Sequence, residues 1–159
     1  MDELLQILKR DARTPLKDIA IMLAQPEAAV QARVADYEAT GIIRGYQALL
    51  NEELVNPEHV RAAIEVRMTP ERGGGYDRIA TRIARFPEVE SVFLMSGGYD
   101  LLVYVKGENL RTVASFVNER LATIDGVLST ATHFTLKTYK DQGVLMKEEQ
   151  TDERLQVSP

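Results

Sequence analysis

The sequence of 159 residues contains no cysteine and no tryptophan, and it has only two histidines. Without cysteine there is neither a disulfide nor a thiolate metal site, which fits a reducing compartment. No apolar run approaches the roughly 20 residues that a membrane-spanning helix needs. The acidic start, Met1-Asp2-Glu3, lacks the basic residues of a signal peptide, so we expect a cytoplasmic protein with no membrane partner.

Positive charge is also scarce. The chain carries 19 Lys and Arg against 24 Asp and Glu, a net charge of -5, and its first fifty residues hold 6 cations against 7 carboxylates. This balance argues against a protein that coats nucleic acid without regard to sequence. If DNA is bound, a few local cations must contact it, and dimerisation would double their number.

Signals for catalysis are absent from the sequence. It contains no nucleophile motif, no phosphate-binding loop and no metal-ligand spacing. The two histidines, His59 and His133, fall in a predicted linker and on a predicted strand, where a structural or solvated role is the ordinary one. We therefore predict that the chain is not an enzyme and uses neither a cofactor nor a metal.

Residues 1–50 show three short helical patterns. Leu4, Leu5 and Leu8 form the first apolar stripe. Thr14 is a predicted N-cap of the second helix, with Pro15 at its first position. A third helix follows Gln25-Pro26, and its predicted inward residues are Ala29, Val30, Val34 and Tyr37.

The third helix is predicted to end at Gly41, where a C′ residue needs positive φ. Ile42-Ile43 and the segment 46–50 after it predict a short strand. Two helices joined by a tight turn, braced by a first helix and followed by a strand, are typical of a winged helix-turn-helix.

The third helix would enter the major groove with an outward face of Glu27, Ala28, Gln31, Ala32 and Asp36, and with Arg33 at its edge. Glutamine pairs with adenine, and arginine pairs with guanine or phosphate. The predicted DNA contacts are Arg13, Lys17, Gln25, Ala28, Gln31, Ala32, Arg33 and Arg44. The same pattern also fits a three-helix packing module that binds no DNA.

After a polar linker at residues 51–59, residues 60–140 alternate strand and helix patterns. Apolar and polar residues alternate from Val60 to Met68, which predicts a strand with one buried face. The predicted order over the whole segment is βαββαβ, the ferredoxin-like arrangement. The fold class is therefore α+β, and residues 141–159 are predicted to form an arm and a polar tail.

Helices would cover one face of this sheet and leave the other open, so we expect a homodimer. Between the second and third strands lies a turn with two glycines, Gly97-Gly98-Tyr99-Asp100. Such a turn lets a backbone approach a ligand, and its N–H groups hold a carboxylate. A plain β-turn, with Asp100 bonded to its own backbone, is the alternative.

These two halves, in this order, resemble the Lrp/AsnC family of regulators. The resemblance runs from Leu4 to about Tyr139. The motifs that carry it are Leu4–Arg13, Val30–Ile43, Arg44–Asn51, Gly97–Asp100 and Gly126-Val127.

The resemblance implies a DNA-binding regulator that senses an amino acid or a related metabolite between subunits. It implies a ligand site at Gly97, Gly98, Tyr99 and Asp100, with Asp100 on the α-ammonium group and Thr132 facing the site from the last strand. It also implies that the homodimer assembles into a tetramer, an octamer or a larger ring.

The entry to the third helix departs from the family pattern. Ala24-Gln25-Pro26-Glu27 stands where the family has serine or threonine hydroxyls that cap the helix and touch phosphate. Gln31 and Ala32 stand where further cations are frequent, and Met1 replaces an acidic residue. These departures leave open an alternative function, a metabolite-binding oligomeric module whose helix-turn-helix has little DNA affinity.

Overall fold

The structure is a computed structural model that describes residues 1–70, 73 and 75–147. The chain divides into two compact units, of which the first is Met1–Leu50 and the second begins at Asn51. Each unit has its own hydrophobic core.

The first unit consists of three helices, α1 (Glu3–Arg10), α2 (Leu16–Met22) and α3 (Glu27–Ala39). Asp2 caps α1, because its carboxylate accepts a hydrogen bond from the Leu4 N–H at 2.8 Å. The buried hydrophobic side chains come from all three helices: Leu4, Ile19, Ala20 and Val30. Gly41 follows the C-cap of α3 with φ +76°, as predicted.

Three local predictions for the first unit are wrong. Thr14 does not cap α2: its hydroxyl donates to the Asp11 carbonyl at 2.9 Å, and Pro15 occupies the N-cap position instead. Ala29 is exposed, because α3 turns it away from the core that Val30 enters. Residues 42–50, all of them described, form no strand, since a single strand has no partner for its backbone groups.

The second unit contains a four-stranded antiparallel sheet of β1 (Val60–Met68), β2 (Val89–Leu94), β3 (Leu101–Gly107) and β4 (Val127–Phe134), in the order β2-β3-β1-β4. Helix α5 (Asp77–Ile83) lies between β1 and β2 in the chain, and helix α6 (Leu110–Phe116) lies between β3 and β4. This is the predicted βαββαβ fold, and the α+β class is confirmed.

The two faces of this sheet differ in composition. Cross-strand partners share a face, so Ile64, Val103 and Thr132 point to the same side, where α5 and α6 supply the rest of the core. The opposite face carries Ala63, Glu65, Arg67, Phe93, Leu102, Tyr104, Ala131 and His133, and we call it the open face. Phe93 on this face is 50% exposed and meets Tyr104 edge to face at 6.3 Å.

Several boundaries in the second unit differ from prediction. The predicted linker contains a helix, α4 (Glu52–Val55), and the Glu53 carboxylate accepts from the Thr138 N–H at 3.1 Å. The predicted helix after Leu110 changes to a π-helical turn at Val117–Leu121.

The predicted last strand is shorter than expected and is followed by a hairpin. The strand ends at Phe134, which leaves Leu136 exposed. Strands β5 (Lys140–Asp141) and β6 (Val144–Leu145) then pair as a hairpin within the predicted arm. The predicted polar tail from residue 148 lies outside the described residues.

The Gly126→Ala substitution is expected to lower the free energy of unfolding by about 1–3 kcal/mol more than Gly143→Ala does. Both glycines have positive φ, +94° and +90°, so the backbone strain caused by alanine is similar at the two positions. Only at Gly126 would a Cβ meet a neighbour, Ile79 Cδ1 at 2.7 Å, whereas nothing lies within 4 Å at Gly143. Urea unfolding of both variants tests this, and equal losses would contradict the overpacking at Gly126.

Candidate DNA interface and ligand turn

The outward face of α3 is accessible along its length. Glu27, Ala28, Gln31, Ala32 and Asp36 are all exposed, as expected of a helix face that meets a groove. This face carries two carboxylates and no cation. Sequence readout from α3 would therefore rest on the Gln31 amide and on contact by the two alanines, while cations elsewhere would have to meet phosphates.

Three predicted phosphate contacts flank α3 in the chain. Arg13 and Lys17 are exposed, one in the loop before α2 and one on α2 itself. Arg44 is also exposed and lies by the end of α3, because a Cβ placed on Gly41 would stand 3.1 Å from Arg44 Nη1. None of the three side chains enters a salt bridge between described residues.

Arg33 is held by other side chains of the first unit. Its Nη2 donates to Asp2 Oδ2 at 2.6 Å, and its Nη1 donates to Gln25 Oε1 at 2.9 Å. The Tyr37 hydroxyl donates to the same Asp2 oxygen at 2.9 Å. Desolvation opposes ionisation of Asp2, but the hydrogen bonds from Tyr37 and Leu4 and the Arg33 charge outweigh it and lower the pKa of this carboxyl group.

The turn between β2 and β3 is anchored to the end of β1 by Asp100. Its backbone N–H donates to the Val66 carbonyl at 3.0 Å, and its Oδ2 accepts from the Met68 N–H at 2.8 Å. Arg67 Nε donates to the Gly98 carbonyl at 2.9 Å. The hydrogen bond to the Asp100 carboxylate also raises the pKa of Tyr76, with desolvation adding to it.

The tip of this turn offers backbone donors. Gly97 and Gly98 are exposed, and Gly97 has φ +130°. Among the hydrogen bonds between described residues, none uses the N–H of Gly97, Gly98 or Tyr99. A Cβ on either glycine would meet nothing within 4 Å, so the backbone is open to an incoming group.

Thr132 lies apart from the contacts of this turn. Its partner on β1 is Ile64, on the face that α5 and α6 cover, whereas the turn bonds to Val66, Arg67 and Met68. Gly97, Gly98, Tyr99 and Asp100 thus lie together in the turn. Thr132 on β4 pairs with Ile64, two residues before the Val66 carbonyl to which the turn bonds. Its role as a ligand contact stays a prediction.

Sequence reasoning missed the side chains that fix both regions. Asp2 carried a usable signal, because an aspartate directly before a helical pattern is a preferred N-cap. Tyr76 and Arg67 carried none, because their partners lie 24 and 31 residues away along the chain.

Neither a metal cluster nor a membrane span is found in the described part of the chain. No group of three or more His, Asp or Glu side chains in it is placed to hold a metal ion. No helix in it is long and apolar enough to cross a membrane.

Comparison with known proteins decides the family. Residues 61–145 match the model of the Lrp/AsnC ligand binding domain, which is more than half of the chain. The chain belongs to the Lrp/AsnC family. Residues 3–44 also match a winged helix-turn-helix DNA-binding model. The resemblance predicted from the motifs is therefore confirmed.

Relatives cover nearly the full length of the chain. An uncharacterized HTH-type transcriptional regulator of Bacillus subtilis, YugG, is 44% identical over 99% of this chain and 95% of its own. The HTH-type transcriptional regulator LysM of Saccharolobus solfataricus is 35% identical over 86% of this chain and 92% of its own. Its family and these relatives make this protein a helix-turn-helix transcriptional regulator, as predicted.

Two of the similar solved structures are complexes with L-methionine. A transcriptional regulator of Neisseria meningitidis, crystallised as a complex with L-Met, has a TM-score of 0.71 and 27% identity. The alignment covers 89% of this chain and 93% of that protein.

Proposed function

We propose that this protein is a cytoplasmic regulator that binds double-stranded DNA through its first unit and an amino acid or related metabolite through its second. One observation carries the proposal: one chain holds an exposed recognition helix and an exposed turn whose backbone donors have no partner among the described residues. The relative solved with L-Met supports an amino acid as the class of effector.

In the DNA-bound state, α3 enters the major groove. Gln31 offers its amide to a base, while Ala28 and Ala32 provide apolar contact. Arg13, Lys17 and Arg44 contact phosphates. Gln25, which lies just before α3, contacts the DNA backbone. Arg33, also predicted to touch DNA, is bonded to Asp2 and Gln25 within the unit.

In the second unit, the N–H groups of Gly97, Gly98 and Tyr99 receive the ligand's carboxylate. Asp100 receives the ammonium group, since an ionised carboxylate has about four lone-pair sites and two known donors occupy it here. Thr132, predicted as a further ligand contact, lies on the helix-covered face of β4 and is left out of this proposed site. The ligand class follows from this pairing of a carboxylate site with an ammonium site.

The open face pairs with the open face of a second copy. Phe93, Leu102 and Tyr104 supply apolar area, and Arg67 connects this face to the turn through the Gly98 carbonyl. A ligand at the turn would therefore lie at the edge of the interface. Its binding would favour one assembly, such as a tetramer or octamer, and change the spacing of the DNA-reading units.

The double variant Arg13→Ala/Lys17→Ala is expected to reduce the salt dependence of DNA binding. Each phosphate contact contributes about 0.9 to the slope of log K against log salt, so the slope should fall by about 2. Fluorescence anisotropy with a duplex from upstream of its own gene measures it. Arg82→Ala/Arg111→Ala removes the same charge from exposed positions in the second unit and should leave the slope unchanged. Equal reductions of the salt slope in both variants would contradict phosphate contacts by Arg13 and Lys17.

A second function is favoured by one observation. The recognition face has two carboxylates and no cation, which fits a metabolite-binding oligomeric module with little DNA affinity. Wild-type protein that binds no duplex at low salt, yet binds an amino acid in calorimetry, would establish this alternative.

A further inference from the structure

One carboxylate in the first unit joins the start of α1 to the recognition helix. Asp2 Oδ1 accepts from the Leu4 N–H, and Oδ2 accepts from both Arg33 and Tyr37. Arg33 and Tyr37 are four residues apart and so lie on the same side of α3. We call Asp2, Arg33 and Tyr37 the clasp.

The clasp also reaches the turn before α3. The second nitrogen of the Arg33 guanidinium, Nη1, donates to Gln25 Oε1 at 2.9 Å. Arg33 thus bonds at once to the residue that caps α1 and to the turn that leads into α3. Two charge-assisted bonds in different directions fix a planar guanidinium much more tightly than one does.

Arg33 lies at the border between the outward face of α3 and its buried side. At 3.6 residues per turn, it is about 140° around the helix axis from Ala28 and about 60° from both Asp36 and buried Val30. Its side chain is 33% exposed and is engaged by Asp2 and Gln25. The sequence pattern predicts Arg33 at the edge of the outward face.

The apolar core alone gives little control over how α3 is oriented. Only four hydrophobic side chains are buried in the first unit, all of which the structure describes, and α3 contributes one of them, Val30. The half-buried side chains of Val34 and Tyr37 also pack against this core. In so small a core, polar bonds between helices contribute to the angle at which α3 is presented.

From these contacts we propose that Arg33 is a positioning residue: the clasp sets the orientation of the recognition helix, and Arg33 does not itself contact DNA. This inference rests on the proposed DNA binding and changes the role of one residue within it. The charge of Arg33 is already matched by Asp2, so releasing it to a phosphate would leave that carboxylate without its counter-charge.

The test is a double-mutant cycle read out by DNA affinity. Asp2→Ala, Arg33→Ala and the combined variant are titrated by anisotropy against the upstream duplex at two salt concentrations. We expect each single variant to bind about tenfold more weakly, the scale of a lost charge-assisted hydrogen bond. The combined variant should bind no worse than either single one, and the salt slope should stay at the wild-type value.

Tyr37→Phe is the conservative companion variant. It removes the hydroxyl bond to Asp2 while keeping the ring in the core, and it changes no charge. We expect a smaller loss of affinity of the same kind, with an unchanged salt slope.

Two results would overturn the proposal. If Arg33 contacts a phosphate, Arg33→Ala should lower the salt slope by about 1, while Asp2→Ala, which frees the guanidinium, should leave affinity unchanged or raise it. If the clasp serves stability alone, all variants should bind DNA like wild type at temperatures well below their unfolding midpoints.

Failure of the proposed DNA binding can be distinguished from failure of the clasp. Wild-type protein that binds no DNA would contradict the regulator proposal, and the clasp would then be tested by hydrogen exchange. Asp2→Ala and Arg33→Ala should raise exchange in α3 to the same extent and without additivity. Unchanged protection of α3 would overturn the clasp in that case.

Discussion

Leu101→Ala is expected to lower the free energy of unfolding of the second unit by about 2–5 kcal/mol, the range for leucine truncation in a core. Leu101 is fully buried at the start of β3, opposite Val66 on one side and Leu94 on the other. Its loss leaves a cavity in the core between the sheet and the helices. Urea unfolding followed by far-UV circular dichroism and tyrosine fluorescence measures the change.

Leu136→Ala provides the matched control for this prediction. It deletes the same atoms in the same unit, but Leu136 is 96% exposed. We expect its free energy of unfolding to stay within about 0.5 kcal/mol of wild type. Similar losses in both variants would show that the sheet is not packed as described.

Asp100→Ala is expected to abolish the response of DNA binding to amino acids. Coupling between two sites commonly changes affinity by about 5–150-fold, and we expect the wild-type shift to fall in that range and the variant's to fall below twofold. The variant loses the proposed ammonium partner and the acceptor that anchors Met68. Anisotropy titrations with each of the twenty L-amino acids in turn measure the response.

A carboxylate elsewhere on the same unit controls for the change of charge. Asp125 is exposed just before β4, and Asp125→Ala should respond to amino acids as wild type does. Asp100→Ala should also lose about 1–3 kcal/mol of stability, because the Met68 N–H is left without its acceptor. A full amino-acid response in Asp100→Ala would remove this turn from the proposed site.

Periodic patterns predicted the parts of the fold that burial alone specifies. Alternation from Val60 to Met68 identified both β1 and its buried face, since a half-buried strand requires a period of two. Gly41 identified the end of α3, because few other residues adopt positive φ there. These features depend on a residue's own neighbours in the chain.

Features that depend on distant partners could not be predicted in this way. The predicted strand after α3 fails because no second strand is there to pair with it. The bond of Arg33 to Asp2, 31 residues away, leaves no periodic trace, so the sequence could not show that this guanidinium is engaged within the unit. The anchoring of Asp100 to Met68, 32 residues apart, is of the same kind.

The most direct test of the whole account is one titration of the wild-type chain against its upstream duplex, at two salt concentrations, with and without a mixture of the twenty L-amino acids. We predict saturable binding that weakens steeply with salt and shifts by at least about fivefold with the mixture. Binding that ignores the mixture at both salt concentrations, or no binding at low salt, would contradict a ligand-responsive DNA-binding regulator.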